Sequence, residues 1–121
     1  MLVQHDPDRP NGFIAIRGSH LLVSPFQAGQ LHCPGGEFDL ESYRGDTFRL
    51  YLDDDGSLSS DKNRDHFWLL VEAVLPSPRY VNVDTGRTDA NGSTLFESRL
   101  APLDLDDPEI QVVAFPLPEV A

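Results

Sequence analysis

The sequence has a single cysteine, Cys33, and a single lysine, Lys62, among its 121 residues. One cysteine excludes a framework of intramolecular disulfides and suits a reducing compartment. No Cys or His motif recurs at metal-ligand spacing, so a structural zinc site is not expected. No apolar run comes near the roughly 18 residues that a membrane-spanning helix needs. Residues 1–8 lack a basic region followed by an apolar one, so no signal peptide is read there. Basic residues are scarce, nine against 20 acidic ones, for a formal charge of −11. Phosphate contacts need a basic surface, so nucleic acid is not an expected partner, and without a spanning run neither is a membrane. Together these absences lead us to expect a cytoplasmic protein, or part of a particle assembled inside the cell.

What is present begins with the run His66-Phe67-Trp68-Leu69-Leu70-Val71-Glu72-Ala73-Val74-Leu75, the most apolar stretch and the site of the only Trp. Read with period two, Phe67, Leu69, Val71, Ala73 and Leu75 share one face, with Trp68 and Glu72 opposite. Read with period 3.6, Phe67, Leu70, Val71, Val74 and Leu75 form a helical stripe. The strand is favoured because its neighbours alternate with period two, and Pro76 would end either element. Where that less apolar face is bare to solvent, Trp68 on it is the leading candidate for a partner contact.

Residues 1–12 form a polar, turn-rich leader. Gly18-Ser19 between two alternating runs predicts a two-residue hairpin, with Ile16 facing Leu21 and Ile14 facing Val23. Residues 25–46 read as a long irregular loop, the kind of segment that often contacts a partner. Phe38 and Tyr43 are its candidate contact residues. Residues 47–52, 80–84, 94–100 and 109–115 read as strands, and Pro116-Leu117-Pro118 opens a tail (116–121) that could dock on a neighbour. The expectation is one all-β domain over 1–121. It is a small antiparallel sandwich or partly open barrel of about seven or eight strands, with at most one short helix.

Several stretches invite chemistry. Asp53-Asp54-Asp55-Gly56 partly fits a calcium loop, with Asp53 and Asp55 at ligand positions. Tyr51 and Lys62 fall where its first and last ligands belong, so an Asp-Gly turn is the simpler reading. Val83-Asp84-Thr85-Gly86 resembles the apolar-Asp-Thr-Gly signature of aspartic proteases. The resemblance covers those residues alone, and the flap and walls that follow the motif in such enzymes have no room in what remains. His32 and Cys33 are weak candidates for metal binding or nucleophilic chemistry, because neighbouring side chains on extended backbone point apart. Asn91-Gly92-Ser93 is a formal glycosylation sequon that also reads as a turn.

No catalytic constellation or cofactor motif is visible, so the balance of expectation is against an enzyme and no cofactor is anticipated. The leading reading is a non-enzymatic protein–protein interaction or assembly module within a larger complex. Its partners would be proteins, with a basic surface or copies of the chain itself as candidates. One alternative is an acidic inhibitor or immunity protein that covers a basic enzyme surface. It requires Asp53, Asp54 and Asp55 to converge with Asp104, Asp106 and Asp107 on one face. A second alternative is a small metal-binding or hydrolytic domain.

Overall fold

The computed structural model describes residues 1–61 and 65–118. Its strands are β1 Leu2–Gln4, β2 Ile14–Arg17, β3 His20–Val23, β4 Phe26–Ala28, β5 Leu31–Cys33, β6 Gly36–Asp39, β7 Thr47–Leu52, β8 Leu58–Ser59, β9 Trp68–Val74, β10 Tyr80–Thr88, β11 Thr94–Leu100 and β12 Val112–Ala114. A 3-10 turn at Leu40–Tyr43 is the one helical piece among the described residues. The chain is all-β. Its strand count exceeds the expected seven or eight through β1, β4, β5 and β8, of three residues or fewer, and the four-residue β6. Alternation cannot be detected over so short a span. Three of the additional strands, β4, β5 and β6, lie inside the stretch expected to be an irregular loop. Another, β1, lies inside the expected leader.

The main sheet has the order β1-β12-β9-β7-β8, antiparallel except for the β1–β12 pair. A three-stranded sheet, β2-β3-β6, the β4–β5 hairpin, Leu40 and the loop residues Leu75, Leu103, Leu105 and Ile110 contribute to the same core. Phe48, Leu50 and Leu52 of β7 are fully buried, as their alternation predicts. They meet Leu21 and Leu40 from the smaller sheet and its turn. The β2–β3 hairpin has the expected register, Ile14 opposite Val23 and Ile16 opposite Leu21. Gly18 adopts φ 59°, the left-handed geometry that a two-residue turn requires.

The run at 66–75 forms a strand over Trp68–Val74, but its faces differ from those expected. Leu50 is paired with Val71 whereas Tyr51 is paired with Leu69, so Leu70 is an extra residue in β9. Such a bulge reverses the side-chain parity on either side of it. Leu70 and Val71 are consequently both buried. Trp68, opposite the buried Leu52, turns to the core side, while Phe67 stands 45% exposed. Beyond the bulge the expected pattern holds. Ala73 is buried, and Glu72 faces outward with its Oε2 accepting from Arg49 Nε at 2.9 Å.

The leader is tied to the sheet by Asn11, which is 1% exposed. Its Nδ2 donates to Phe115 O at 3.1 Å, and its Oδ1 accepts from Phe13 N at 3.0 Å. Gln4 Oε1 accepts from Asn11 N at 2.8 Å. A buried amide with its donors and acceptors satisfied fixes this crossing of the chain.

Candidate interaction surface

One part of the molecule contributes nothing to the core. Strands β10 and β11 pair only with each other among the described residues, as a long antiparallel ribbon. All seven residues of β11 are exposed, and of the nine in β10 only Val83 and Thr85 are partly covered. Directly paired residues share a face. One face therefore carries Tyr80 with Leu100, Asn82 with Ser98, and Asp84 with Phe96. The other carries Val81 with Arg99 and Val83 with Glu97. Tyr80 and Phe96 are 65% and 64% exposed, and Val81, Leu95 and Leu100 are exposed as well. The register slips between Asp84 and Thr88, where Gly86 takes φ 74° and its N–H meets Asp84 Oδ1 at 2.8 Å. The Asp84-Thr85-Gly86 triplet is thus a local turn within a solvent-exposed strand.

The base of this arm sits in a built socket. The Arg44 side chain is 8% exposed, and its guanidinium grips both carboxylate oxygens of Glu41, at 2.7 and 2.9 Å. Its Nη2 also donates to Ala101 O at 2.9 Å, next to the last residue of β11. The Arg44 hydrogen bonds hold the Glu41 carboxyl below its ordinary range, with a smaller contribution from Leu103 N–H. Gly45 N donates to Pro76 O at 2.9 Å on the other side of the base. Asp39 caps the 3-10 turn that presents Arg44, accepting from Glu41 N and Ser19 Oγ, and those two bonds lower its pKa. The arm is therefore rooted firmly and exposed beyond its root.

A second surface feature lies at Trp68. A cleft of about 580 Å³ is walled by His5, Phe67, Trp68, Leu69, Phe115 and Pro116. Trp68 Nε1 donates to Pro116 O at 2.8 Å, so the indole fastens the C-terminal segment. Pro116 and Leu117 are half-buried and Pro118 is buried, which places this segment against the body through residue 118. Residues 119–121 of the expected tail lie outside the described residues. Phe38 and Tyr43, from the expected loop, face the core around Phe48, with ring centroids at 6.4 and 4.8 Å.

The remaining candidates are dispersed. Cys33 is buried in the core, while His32 beside it is exposed. Residues 53–57 form a tight turn in which Asp53 O accepts from Gly56 N at 3.0 Å and Asp55 Oδ1 from Ser57 Oγ at 2.6 Å. Asp53 also contacts His66 Nδ1 at 2.6 Å, and the His66 ring stacks on Tyr51. Lys62, the twelfth position of the calcium alignment, lies outside the described residues. Among the described residues no group of three or more His, Cys, Asp or Glu is arranged to hold a metal ion. The two Asp groups are not brought together. Asp53, Asp54 and Asp55 follow Leu52 at the end of the main sheet where β9 begins, because Leu52 pairs with Trp68. Asp104, Asp106 and Asp107 precede β12 at the opposite end, where Val112 pairs with Ala73.

No helix among the described residues is long and apolar enough to cross a membrane. Comparison with family models, curated proteins and solved structures finds no significant match. The functional reading therefore rests on the arm itself.

Proposed function

We propose that this chain is a non-enzymatic protein–protein interaction or assembly module, and that the β10–β11 arm is its contact element. The observation that carries this reading is the arm's exposure. A two-stranded ribbon with no third strand and no core behind it is marginal in water. This one nevertheless presents Tyr80, Phe96 and Leu100 on a single face. An exposed apolar row on a rooted scaffold is the pattern of a surface that another chain covers. The separation of the acidic groups weighs against the alternative of one acidic blocking face. An intracellular location remains part of the same proposal.

The test is a paired substitution, Tyr80→Ser with Phe96→Ser, in the full chain. The expected result is an unchanged melting temperature of the monomer. Sedimentation and affinity capture from the native source should then show loss of association, with itself or with another protein. An unsubstituted chain that stays monomeric and recovers nothing dependent on Tyr80 and Phe96 contradicts the reading.

A further inference from the structure

One of the arm's two open edges belongs to β11, and its sequence there is Phe96-Glu97-Ser98-Arg99-Leu100. About Ser98 the string is chemically self-complementary: apolar, acid, Ser, base, apolar. Antiparallel pairing of two identical strands about Ser98 sets Glu97 opposite Arg99 of the second copy, and Arg99 opposite its Glu97. It likewise sets each Phe96 opposite a Leu100. A two-fold interface demands this reciprocity, in which residue i meets j and j meets i. From this pattern we infer that the arm's occupant is a second copy of this chain, joined β11 to β11 in a continuous four-stranded sheet. The inference rests on the assembly reading above and names its partner.

The backbone is oriented for it. Ala101 N donates to Arg79 O at 2.7 Å, which makes residues 79 and 101 a hydrogen-bonded pair. In an antiparallel ladder such pairs alternate. Arg99 and Glu97 therefore spend their N–H and C=O groups on β10. Those of Phe96, Ser98 and Leu100 point to the open edge. These are the residues that the Ser98-centred register would bond, Ser98 to Ser98 and Phe96 to Leu100, with two backbone bonds at each pair. The register that matches the side chains is also the one that satisfies the free backbone groups.

The side chains gain partners too. Among the described residues Arg99 and Glu97 now pair only with each other along one strand, at 2.8 Å, with side chains 60% and 53% exposed. Across the two-fold each would gain an opposite charge directly facing it. On the other face, Tyr80 and Leu100 of one copy would continue into Phe96 of the next as one apolar row.

Two further features favour a second copy as occupant. Residues 79–101 hold Arg79, Arg87 and Arg99 against Asp84, Asp89 and Glu97, so the arm is formally neutral. The net charge of −11 belongs wholly to the rest of the chain, and the arm is where two copies can meet without opposing like charge. The other feature concerns edges. The main sheet ends in β1 and β8, of three and two residues, and such short edges discourage strand addition. β11 has seven residues, no Pro, no Lys and no register slip over 96–100. β10, the arm's other edge, is interrupted by the slip between Asp84 and Thr88, so β11 is the arm's regular edge.

The experiment uses two charge variants of the full chain, Glu97→Arg and Arg99→Glu. Each alone sets like charges opposite one another twice across the two-fold, and dimerisation measured by sedimentation should weaken by roughly tenfold or more. Mixed in equal amounts, the two variants place every base opposite an acid, and the heterodimer should recover wild-type affinity. Ser98→Pro removes an N–H that β10 does not use and should leave a folded monomer. Ser98→Cys places two thiols across the axis, at the roughly 5.5 Å Cα spacing of a hydrogen-bonded pair, and should give a covalent dimer on oxidation. Failure of the mixture to recover, or absence of the Ser98→Cys cross-link, overturns the second copy as occupant. If a different protein is then captured by the wild type and lost with Tyr80→Ser/Phe96→Ser, the assembly reading stands without this inference. If no arm-dependent partner is found either, both fall.

Discussion

Phe48 and Phe96 are the same side chain in two opposite settings. Phe48 is fully buried on β7, packed against Phe38 and Tyr43. Phe96 stands 64% exposed on β11 and touches no core. The body holds its shape because water is excluded from residues such as Phe48, Leu50 and Val112. The arm holds its shape through backbone pairing, local turns and the grip of Arg44 at its base. The contrast separates residues that maintain the fold from residues left over for a partner, and it can be tested from both sides.

The largest separation is expected between the two phenylalanines. Phe48→Ala removes a ring from a filled core and should cost about 3–5 kcal/mol in chemical denaturation. Phe96→Ala should change monomer stability by no more than about 0.5 kcal/mol. Equal losses at both sites would remove the distinction between body and arm.

Glycines make the same comparison through the backbone. Gly56 has φ 88°, and an added Cβ would lie 2.2 Å from His32 O. Gly56→Ala must therefore displace β5 backbone as well as strain its own, and a loss on the order of 3 kcal/mol is expected. In the arm, Gly86 has φ 74° with nothing within 4 Å of the added atom. Gly86→Ala should cost only about 1 kcal/mol, confined to the ribbon, and should leave the body's unfolding midpoint in place. Asn11→Ala, which strands the Phe115 carbonyl and the Phe13 N–H, should cost the body about 2 kcal/mol by the same measurement.

The smallest effect concerns pH and the socket between the two regions. Asp39 and Glu41 titrate below their ordinary values of 3.8 and 4.5. A carboxyl whose folded pKa is depressed contributes stability that is complete above the unfolded value and is lost as pH falls through the folded one. The melting temperature should therefore drift downward on acidification below about pH 4.5, modestly because both groups are near solvent. Glu41→Gln should reduce that drift and loosen the arm's base. A melting temperature that rises below pH 4 would contradict the assignment.

How much of this was legible in the sequence depended on the range of the signal. The β2–β3 register could be read residue by residue because Gly18 and four alternating residues on each side specify it locally. The strand at β9 was legible, but its inner face was not. Whether Leu70 bulges is decided by pairing with β7, and that one residue moves Trp68 to the core side and Phe67 outward. Strands β4 and β5, of three residues each, are too short to show a period, and β6, Gly36-Glu37-Phe38-Asp39, carries a single large apolar residue and so no alternation. Residues 80–84 and 94–100 are legible as strands, and Val81 and Val83 alternate with polar neighbours as in a half-buried strand. Alternation reports which residues share a face; it does not report whether anything lies against that face. The adjacency of Leu95 and Phe96, and the charges at 97 and 99, were the available signs that β11 has no single inward side.

Amide hydrogen exchange at Phe96, Ser98 and Leu100 tests the central claim most directly, because those N–H groups have no partner within the ribbon. At concentrations where the chain associates they should be protected, and on dilution they should exchange at open-edge rates while Phe48 and Val71 stay protected throughout. Free exchange at these three amides at every concentration, in a chain that is nonetheless associated, would contradict it.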